Sequence, residues 1–528
     1  MPFSFARLKR LPHLPRPETR LTALIVSVSI ANLCYLRLWD ALLHHPERDY
    51  LAATPDRPLD YVAALGGMLV LTLAIYAVIR VLWHNQNRVL RAGAMIIILV
   101  FFVFPADFVR RSSGTQFEAV TGVWRFVLIG VAALALVGSA ALFRQRFYAA
   151  LFWCFGILSP FVVVNIWECV AAAWRADGQP AERPYEAIHF PQNAPGRRVV
   201  WVLFDEWDQT VLTEKRPPGL QLPNLDALRR ESVVATQAFA PAGVTRLSVP
   251  ALLSGQVLTS AFAEGADTLQ VKLAGATSFR SFRELPSVAD DAAALRMNFS
   301  AIGWYHPYGR LFADEANAAT KSYGYPAFQA FRKDDFFSAV LGQLLFLTSP
   351  TYGRHAAIEL YQAMHAEALR CVADPTRNVI FLHYGIPHYP GIFNARTGEL
   401  STWLKSEVVS YMDNLVLVDR TLGELLAAID RAGLRDSTSV VFTSDHWWRS
   451  APWAAGRAAN PVPLIIQVGG DRSAIVANAP LVTTCLRAMV RALLVGQLRD
   501  NAAVAEFLGK ARISGRVRYV DAAILVGR

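Results

Sequence analysis

Charged residues are scarce in this chain of 528 residues: they make up 18% of it, while 53% of the residues are hydrophobic. So large an apolar excess argues against an ordinary soluble enzyme and indicates membrane-spanning segments. The net charge of +10 comes without any long basic run interleaved with aromatic residues, so we expect no nucleic-acid partner. Short membrane loops collect Lys and Arg for topological reasons and offer another source of the basic excess.

Cysteines are also few. Of the five, Cys34, Cys154 and Cys169 fall in apolar segments, which leaves Cys371 and Cys485 as the candidates for a disulfide in the polar region. This number excludes a disulfide framework. A single bridge between Cys371 and Cys485 stays open, and the compartment has to be inferred from the membrane topology.

Near the N-terminus, no small-residue cleavage site follows a short apolar core, which argues against a cleaved signal peptide. Five apolar runs occur instead, each within or close to the length that a helix needs to cross a bilayer. They are residues 21–43, 61–83, 92–109, 122–143 and 149–174. We therefore predict a membrane domain of five transmembrane helices over residues 1–174, with the two termini on opposite sides.

The loops between these runs orient the predicted membrane domain. The first loop, residues 44–60, contains four acidic residues, whereas arginines such as Arg88 and Arg144 mark the second and fourth loops. Because basic loops stay in the cytoplasm, we predict a cytoplasmic N-terminus in a bacterial-type inner membrane. Everything after residue 174 is then periplasmic or otherwise extracytoplasmic. Glu168, well inside the fifth run, is either a functional pocket residue or a buried helix contact.

After a polar linker at residues 175–197, the composition becomes that of a globular α/β domain, which we place at residues 198–528. Short apolar runs rich in β-branched residues predict buried parallel strands. Helical stretches alternate with them, as a parallel sheet with helices on its faces requires. The predicted strands are residues 199–204, 299–304, 378–384, 439–444 and 463–468, and the predicted helices are residues 224–231, 356–371, 406–432 and 484–496. The expected fold is α/β, with a central, mostly parallel sheet covered by helices.

Acidic and imidazole side chains come directly after two of these strands. Asp205 follows the first, and Asp445 and His446 follow the fourth. Ligands of such sheets bind beyond the carboxyl ends of the strands, so these side chains are expected to meet at one edge. With the hydroxyl of Thr245 they make three oxygen donors and one nitrogen donor. This set predicts a site for one divalent metal ion: zinc, manganese, magnesium or calcium.

Thr245 opens the stretch TRLSVPALLSG, just ahead of a short apolar helix. A hydroxyl at a helix N-terminus lies beside unpaired N–H groups and the positive end of the helix dipole, which stabilise an anion that the hydroxyl attacks. Thr245 is therefore the predicted nucleophile. The alternative is a simple helix cap.

Four further residues are candidates at the same edge. His306 follows the strand at residues 299–304 and is a candidate for binding substrate, with packing between aromatic residues as the alternative. Arg246 and Arg449 are neighbours of the proposed ligands and would neutralise an anionic substrate, although either can be an ordinary surface arginine. Glu206 is an additional ligand or a solvated acid.

Three stretches, VVWVLFDE, TRLSVPALLSG and TSDHWWR, resemble motifs of the alkaline phosphatase superfamily, specifically its sulfatase-like and membrane-bound phosphotransferase branches. The resemblance covers roughly residues 197–468. It implies that Asp205, Thr245, Asp445 and His446 bind the metal and that Thr245 forms the covalent intermediate.

A fourth stretch, FLHYGIPHYPG at residues 381–391, resembles the substrate segment of the same family. The resemblance implies that His388 is a catalytic residue beside the transferred group and that His383 lies close by to bind substrate. The layout of five spans before an outer catalytic domain is similar to that of lipid A phosphoethanolamine transferases and lipoteichoic acid synthases. It implies membrane lipids as partners and a lipid or glycan substrate of the envelope.

The chain departs from the family pattern at several places. Trp447 replaces the usual glycine after Ser-Asp-His, which narrows the space beside the metal. Sulfatases need Cys or Ser followed by x-Pro-x-Arg to make formylglycine, whereas Thr245 is followed by Leu247 and Val249 at those places. No histidine occurs after His446, so the sequence favours one metal over two.

These observations predict a membrane-anchored, metal-dependent enzyme in which a threonine nucleophile transfers or hydrolyses a phosphoryl-linked group. Two alternatives remain. One is a sulfatase-like sulfuric ester hydrolase, and the other is a catalytically silent membrane scaffold with the same fold.

Overall fold

A computed structural model describes residues 20–44, 57–84, 87, 89–90, 144–177, 190, 197–265, 267–312, 317–325, 332–349, 351–452 and 460–511. The chain forms two compact units. The first comprises Met1–Arg48, Asp56–Gln179 and Ala330–Pro350, and the second comprises Asp49–Pro55, Pro180–Gln329 and Thr351–Arg528. The sequence did not indicate that the chain returns to the first unit at residues 330–350.

The α-helices of the described residues have the following bounds: α1 Arg20–Cys34, α2 Leu36–Trp39, α3 Pro58–His84, α4 Arg144–Asp177, α5 Gln209–Leu212, α6 Pro223–Arg229, α7 Thr245–Ser254, α8 Val288–Ala294, α9 Tyr308–Phe312, α10 Phe336–Thr348, α11 Tyr352–Ala373, α12 Glu407–Arg431, α13 Leu486–Leu494 and α14 Asn501–Lys510. A π-helical turn, Asp40–His44, continues α2.

The strands of the described residues have the following bounds: β1 Arg198–Asp205, β2 Val233–Phe239, β3 Leu258–Glu264, β4 Thr268–Leu273, β5 Arg280–Ser281, β6 Phe299–Trp304, β7 Ala318–Tyr323, β8 Val379–Pro387, β9 Phe393–Asn394, β10 Glu399–Leu400, β11 Thr438–Thr443, β12 Val462–Gln467, β13 Ile475–Ala477 and β14 Leu481–Val482.

Two helices of the first unit are long and apolar enough to cross a membrane, over Pro58–Val81 in α3 and Phe155–Ala176 in α4. Helix α1 and the segment Leu36–His44 meet the same criteria together but are bent by 54° at their junction, so they add a third span if the pair is one. The predicted runs 92–109 and 122–143 lie outside the described residues. The prediction of five spans is therefore not confirmed.

Polar side chains link the helices of the first unit. Asn32 Oδ1 accepts hydrogen bonds from Trp39 Nε1 at 2.9 Å and from Asn165 Nδ2 at 3.0 Å, which joins α1 to α4. Such bonds hold helices together where the surroundings are apolar. Glu168 Oε2 lies 3.4 Å from His44 Nε2, so Glu168 makes a contact between helical elements.

The main sheet of the second unit has the order β13-β2-β12-β11-β1-β8-β6-β7, with β14 beside β2. From β11 to β7 the strands run parallel. β12 is antiparallel to both of its neighbours, so the sheet is mixed and the predicted parallel direction of the run 463–468 is wrong. The apolar pattern could not show this, because a strand buried on both faces reads the same in either direction.

Buried aromatic and aliphatic side chains fix the middle of this sheet. β1 is buried along its whole length. The ring of Phe204 lies 5.5 Å from that of Tyr384 on β8 and 6.4 Å from that of Phe442 on β11. Helices α11 and α12 pack against β8. Because interiors of this kind are close-packed, the ends of these three strands are held in fixed positions.

The two cysteines left open by the sequence, Cys371 and Cys485, are both free thiols. Burial raises the pKa of Cys371 to about 11 and that of Cys485 to about 12. No disulfide therefore joins them in the described part of the chain.

Candidate active site

Three neighbouring strands bring polar side chains to one edge of the main sheet. Leu203 of β1 is paired with Thr443 of β11 on one side and with His383 of β8 on the other. Asp205 ends β1, and Asp445 follows the end of β11 by two residues. Because the three strands are parallel, their carboxyl ends open on the same side, where α/β sheets bind ligands.

The hydroxyl of Thr245 points into this edge. Helix α7 begins at Thr245, and its N-cap is Val244 in extended conformation. Thr245 is 5% exposed; its Oγ1 donates to Asp205 Oδ2 at 3.4 Å and lies 3.2 Å from His446 Nε2. The structure thus gives the hydroxyl a place in the acidic cluster instead of the role of helix cap.

Two buried serines connect the elements that carry these side chains. Ser444 Oγ accepts from the N–H of Trp207 at 2.9 Å and lies 2.7 Å from the main-chain oxygen of Phe204, which ties the end of β11 to the end of β1. Ser248 Oγ donates to the main-chain oxygen of Asp445 at 2.6 Å, which ties α7 to the same edge. Sequence reasoning missed both serines, although each lies inside a motif that it singled out.

The two histidines of the cluster are held as neutral rings. His446 Nδ1 lies 2.9 Å from the main-chain oxygen of Trp447, so Nδ1 carries the proton and Nε2 presents its lone pair. His383 Nδ1 lies 2.8 Å from the hydroxyl of Tyr308. Burial lowers the pKa of His383 and of His446 to about 3 in each case. A neutral imidazole is the form that binds a metal ion.

The cluster fits one divalent cation. Asp205, His383 and Asp445 each offer a ligand atom, and these atoms lie within 4.8 Å of one another. Within the described residues, Asp205 Oδ1, Asp445 Oδ2 and His383 Nε2 are buried without a hydrogen bond. His446 Nε2 lies 3.6 Å from the first and 3.4 Å from the second. Ligand atoms about 2.1 Å from a tetrahedral zinc ion are about 3.4 Å apart, and the two distances from His446 Nε2 are close to this value.

The charges of the cluster also favour a bound cation. Burial, with the negative charges of Asp445 and Glu206, raises the pKa of Asp205 well above its usual range. Glu206 behaves differently: burial opposes its ionisation, but the charges of His388 and Arg449 lower its pKa. Like charges buried this close together repel, and a bound cation would remove the repulsion.

His383 thus joins the predicted ligands, although the sequence assigned it to substrate binding. It lies inside β8, whereas the other candidates lie at or after strand ends. Only the register that sets His383 beside Leu203 brings it to the cluster. That register is a property of the folded sheet.

His388, the predicted catalytic residue, lies next to the cluster. Its N–H donates to the main-chain oxygen of Asp205 at 3.2 Å, and its Nδ1 lies 2.5 Å from the main-chain oxygen of Tyr389. Its ring is 5.5 Å from the ring of Trp304 and is half-buried. The residue is therefore attached to the end of β1 while its imidazole remains partly accessible.

His306 was predicted to bind substrate, but the structure places it against the backbone of Thr245. The side chain is buried, and its Nε2 lies 3.1 Å from the main-chain oxygen of Thr245. Burial lowers its pKa to about 3. His306 therefore contacts the backbone of Thr245 as a neutral ring.

The two predicted substrate arginines have different surroundings. Arg246 follows Thr245 in α7 and is half-buried. Arg449 Nε donates to Glu206 Oε1 at 3.0 Å, and the side chain remains 44% exposed. The positive charge of Arg449 therefore neutralises Glu206. Glu206 is a paired acid at the rim of the cluster.

Trp447, which stands where the motif that this stretch resembles has glycine, packs against the segment before Thr245. The residue is buried, and a Cβ added to Gly243 would lie 3.0 Å from Trp447 Cη2. The indole thus takes up the room beside Gly243, two residues before Thr245. A larger side chain at position 243 would require a shift of the Trp447 indole or of the backbone at residue 243.

Backbone strain marks the same edge. Glu206 has φ 62° and Tyr305 has φ 67°, and each directly follows a strand of the main sheet, β1 and β6. Residues other than glycine rarely adopt this left-handed conformation, which costs about 1–3 kcal/mol and is concentrated at functional sites. The strain supports placing the active site here.

Part of the chain is similar to known proteins. Residues 305–479 match the family model described as Sulfatase. The matched stretch contains His383, Asp445 and His446 and begins beyond Asp205 and Thr245. Among curated proteins, an ulvan-active sulfatase of Formosa agariphila is 24% identical over 278 residues, which are 47% of this chain and 50% of that protein. The chain thus spans about half the length of this curated relative.

Two solved structures are similar to part of the chain. A sulfatase from Pseudoalteromonas sp. has a TM-score of 0.42 and 16% identity, over 56% of this chain and 67% of that chain. The phosphonate monoester hydrolase of Agrobacterium radiobacter has a TM-score of 0.39 and 16% identity, over 55% of this chain and 73% of that chain. The similarity to the Sulfatase family model is thus confined to residues 305–479.

Proposed function

We propose that this protein is a membrane-anchored, metal-dependent enzyme that uses Thr245 to transfer or hydrolyse a phosphoryl-linked group. One observation carries the proposal: the buried Thr245 hydroxyl lies 3.4 Å from Asp205 Oδ2 and 3.2 Å from His446 Nε2, inside a cluster whose donor atoms fit a cation. A hydroxyl placed this way at the start of a helix suits attack on an anionic centre.

Asp205, His383, Asp445 and His446 would hold the metal ion, with Thr245 beside them. Two imidazoles next to two carboxylates favour zinc or manganese over magnesium or calcium, which prefer oxygen donors. When bound, the ion acts as a Lewis acid and lowers the pKa of the threonine hydroxyl.

Different residues of the chain would have different roles in the reaction. Thr245 Oγ1 loses its proton and forms a bond to phosphorus while the bond from phosphorus to the donor oxygen breaks, and the donor oxygen leaves with that proton. The N–H groups at the start of α7 and the neighbouring Arg246 stabilise the anionic group. His388 presents Nε2 to the transferred group, because its Nδ1 is held by the main chain of Tyr389. Water or an acceptor hydroxyl then releases the group from Thr245.

The proposed substrates are lipids or glycans of the cell envelope, with a membrane lipid as donor. The support is the pair of apolar helices in the first unit, or three spans if the bent pair counts as one. An enzyme anchored in this way meets lipid headgroups without leaving the membrane surface. We place the protein in a bacterial-type inner membrane with five spans and the catalytic domain on the extracytoplasmic side.

Sulfuric ester hydrolysis is the second candidate function. The match of residues 305–479 and the similarity to an ulvan-active sulfatase favour it. Threonine at position 245 weighs against it, because formylglycine is made from cysteine or serine in the sulfatases that this chain resembles. The same site would otherwise accept either anion.

Paired substrates separate the two candidates. Purified full-length protein is offered a phosphate diester and a sulfate ester of the same phenol, with zinc or manganese added. We expect turnover of the phosphate diester, its loss in Thr245→Ala by up to about 10⁶-fold as for other nucleophile deletions, and its partial retention in Thr245→Ser.

Each other outcome of this experiment has a definite meaning. Faster cleavage of the sulfate ester in the wild type would establish the second candidate. Undiminished activity in Thr245→Ala would remove threonine from the mechanism. Absence of turnover of both esters, with metal bound, would support the silent scaffold.

A further inference from the structure

Helix α10 has an apolar face that no part of the described chain covers. It is a short apolar helix of 13 residues and belongs to the first unit, although the chain before and after it belongs to the second. Phe337, Leu341 and Leu345 are 82%, 58% and 37% exposed. Their spacing of four residues places them on one face of the helix. A continuous exposed stripe of large apolar side chains marks an interaction surface.

The opposite face of α10 is packed against α3. Gln343 is fully buried, and its Nε2 donates to the main-chain oxygen of Asp60 at 2.8 Å. The ring of Phe336 lies over Gly66, where an added Cβ would be 2.6 Å from Phe336 Cζ. Small residues at such positions let helices approach closely, as they do within membranes. Helix α10 is therefore a fixed part of the first unit.

A charged cluster marks the level at which α10 crosses α3. Asp60 Oδ1 accepts from Arg57 Nη2 at 2.9 Å, and Arg332 Nε lies 3.6 Å from Asp60 Oδ2. Arg57 also pairs with the exposed Asp334 at 3.3 Å. All of these residues precede or begin the two apolar helices. Charged side chains lie at the ends of membrane helices, where they reach the headgroups.

Length and continuity identify what covers the apolar stripe. Thirteen residues make a helix about 20 Å long, too short to cross a hydrocarbon core of about 30 Å. The stripe belongs to the same unit as Leu69 and Leu73, which are 59% and 55% exposed on α3, a helix apolar enough to span a membrane. An apolar helix beside the first turns of a spanning helix, with charges at its start, fits the membrane boundary.

We propose that α10 is an interfacial membrane helix whose Phe337, Leu341 and Leu345 lie among lipid acyl chains, on the side of the bilayer where α3 begins. This inference rests on the membrane anchoring in the proposed function. Along the chain, this helix of the first unit lies between β7 and α11. The covering partner is lipid, and a second copy of the chain is the competing outcome.

Photo-crosslinking tests the proposal with three leucines of nearly equal exposure. The photoreactive amino acid p-benzoylphenylalanine replaces Leu341 on α10, Leu73 on α3 or Leu404 in the second unit, which are 58%, 55% and 55% exposed. Each full-length protein is placed in vesicles of phosphatidylethanolamine and phosphatidylglycerol and irradiated. Mass spectrometry then shows which peptide has gained the mass of a phospholipid.

We expect phospholipid adducts at positions 341 and 73 in comparable yield and no adduct at position 404. Adducts at 73 but not at 341 would overturn the inference and leave the membrane anchor of the proposed function standing. Adducts at neither position would overturn both. A crosslink from 341 to a second copy of the chain would replace lipid by a dimer interface.

Discussion

Asp60 in the first unit and Asp205 in the second are equally buried, at 1% exposure, and their surroundings are opposite. The two carboxylate oxygens of Asp60 lie 2.9 Å from Arg57 Nη2 and 3.6 Å from Arg332 Nε. Asp205 is crowded by Asp445 and Glu206, and within the described chain its Oδ1 accepts no hydrogen bond. A buried acid matched by arginines joins parts of the fold, whereas a buried acid among other acids is stabilised by a proton or by a bound cation.

Removing Asp60 should have the largest effect on stability. The change Asp60→Ala removes the buried carboxylate that Arg57 and the largely buried Arg332 share, and breaking a buried pair in this way costs about 3–5 kcal/mol. Thermal unfolding of the purified full-length protein measures the loss. The matched control is Asp334→Ala, which removes a fully exposed partner of the same Arg57 and should leave the melting temperature nearly unchanged. Equal losses of stability in the two variants would show that the ion pairs of Asp60 do not stabilise the fold.

The reverse is expected of Asp205. In protein stripped of metal, Asp205→Asn removes one of the repelling acids, so its melting temperature should equal or exceed that of the wild type. Added zinc or manganese should stabilise the wild type by about 2.7 kcal/mol at a hundredfold excess over Kd, and the variant by less. Thermal melts with and without metal measure both effects. A metal-free variant that melts well below the wild type would contradict the assignment of Asp205 to a cation site.

A buried histidine away from both acids gives the smallest effect. His365 lies 2.9 Å from Tyr384 Oη and 2.7 Å from Glu424 Oε2, and burial lowers its pKa although Glu424 acts against this. As the pH falls, the unfolded chain therefore takes up a proton on His365 before the folded chain does. The free energy of unfolding then decreases below about pH 6.5, by at most about 1.4 kcal/mol per pH unit.

As the pH falls below about 6.5, the free energy of unfolding should therefore decrease less steeply for His365→Gln than for the wild type. His355→Gln is the matched control, because His355 is exposed on the same helix, α11. Denaturant unfolding at several pH values gives the slopes. Parallel curves for His365→Gln and the wild type would contradict the account of His365.

Much of the fold was predictable because buried strands are short and uniformly apolar. The run 299–304 coincides with β6, and the ends of β1 and β11 differ from prediction by one residue at most. The three-stranded sheet β3-β4-β5 was missed, since its strands mix buried and exposed positions. The direction of β12 depends on its neighbours and not on its own residues.

The candidate site was predictable where its residues follow strands. Asp205, Asp445 and His446 were predicted in this way, and Thr245 from its place at the start of a helix. His383 reaches the cluster only through the register of β8 on β1. The return of α10 to the first unit was not predictable either. It depends on contacts such as that of Gln343 with Asp60, which lie 283 residues apart.

Mass spectrometry of the Thr245 peptide, after incubation of the metal-loaded protein with membrane lipids, tests the central claim most directly. We predict an added phosphoryl-linked mass on Thr245 that is absent from the same peptide in Asp205→Asn. Turnover of lipid substrate without any adduct on Thr245, under conditions that trap the intermediate, would contradict the claim.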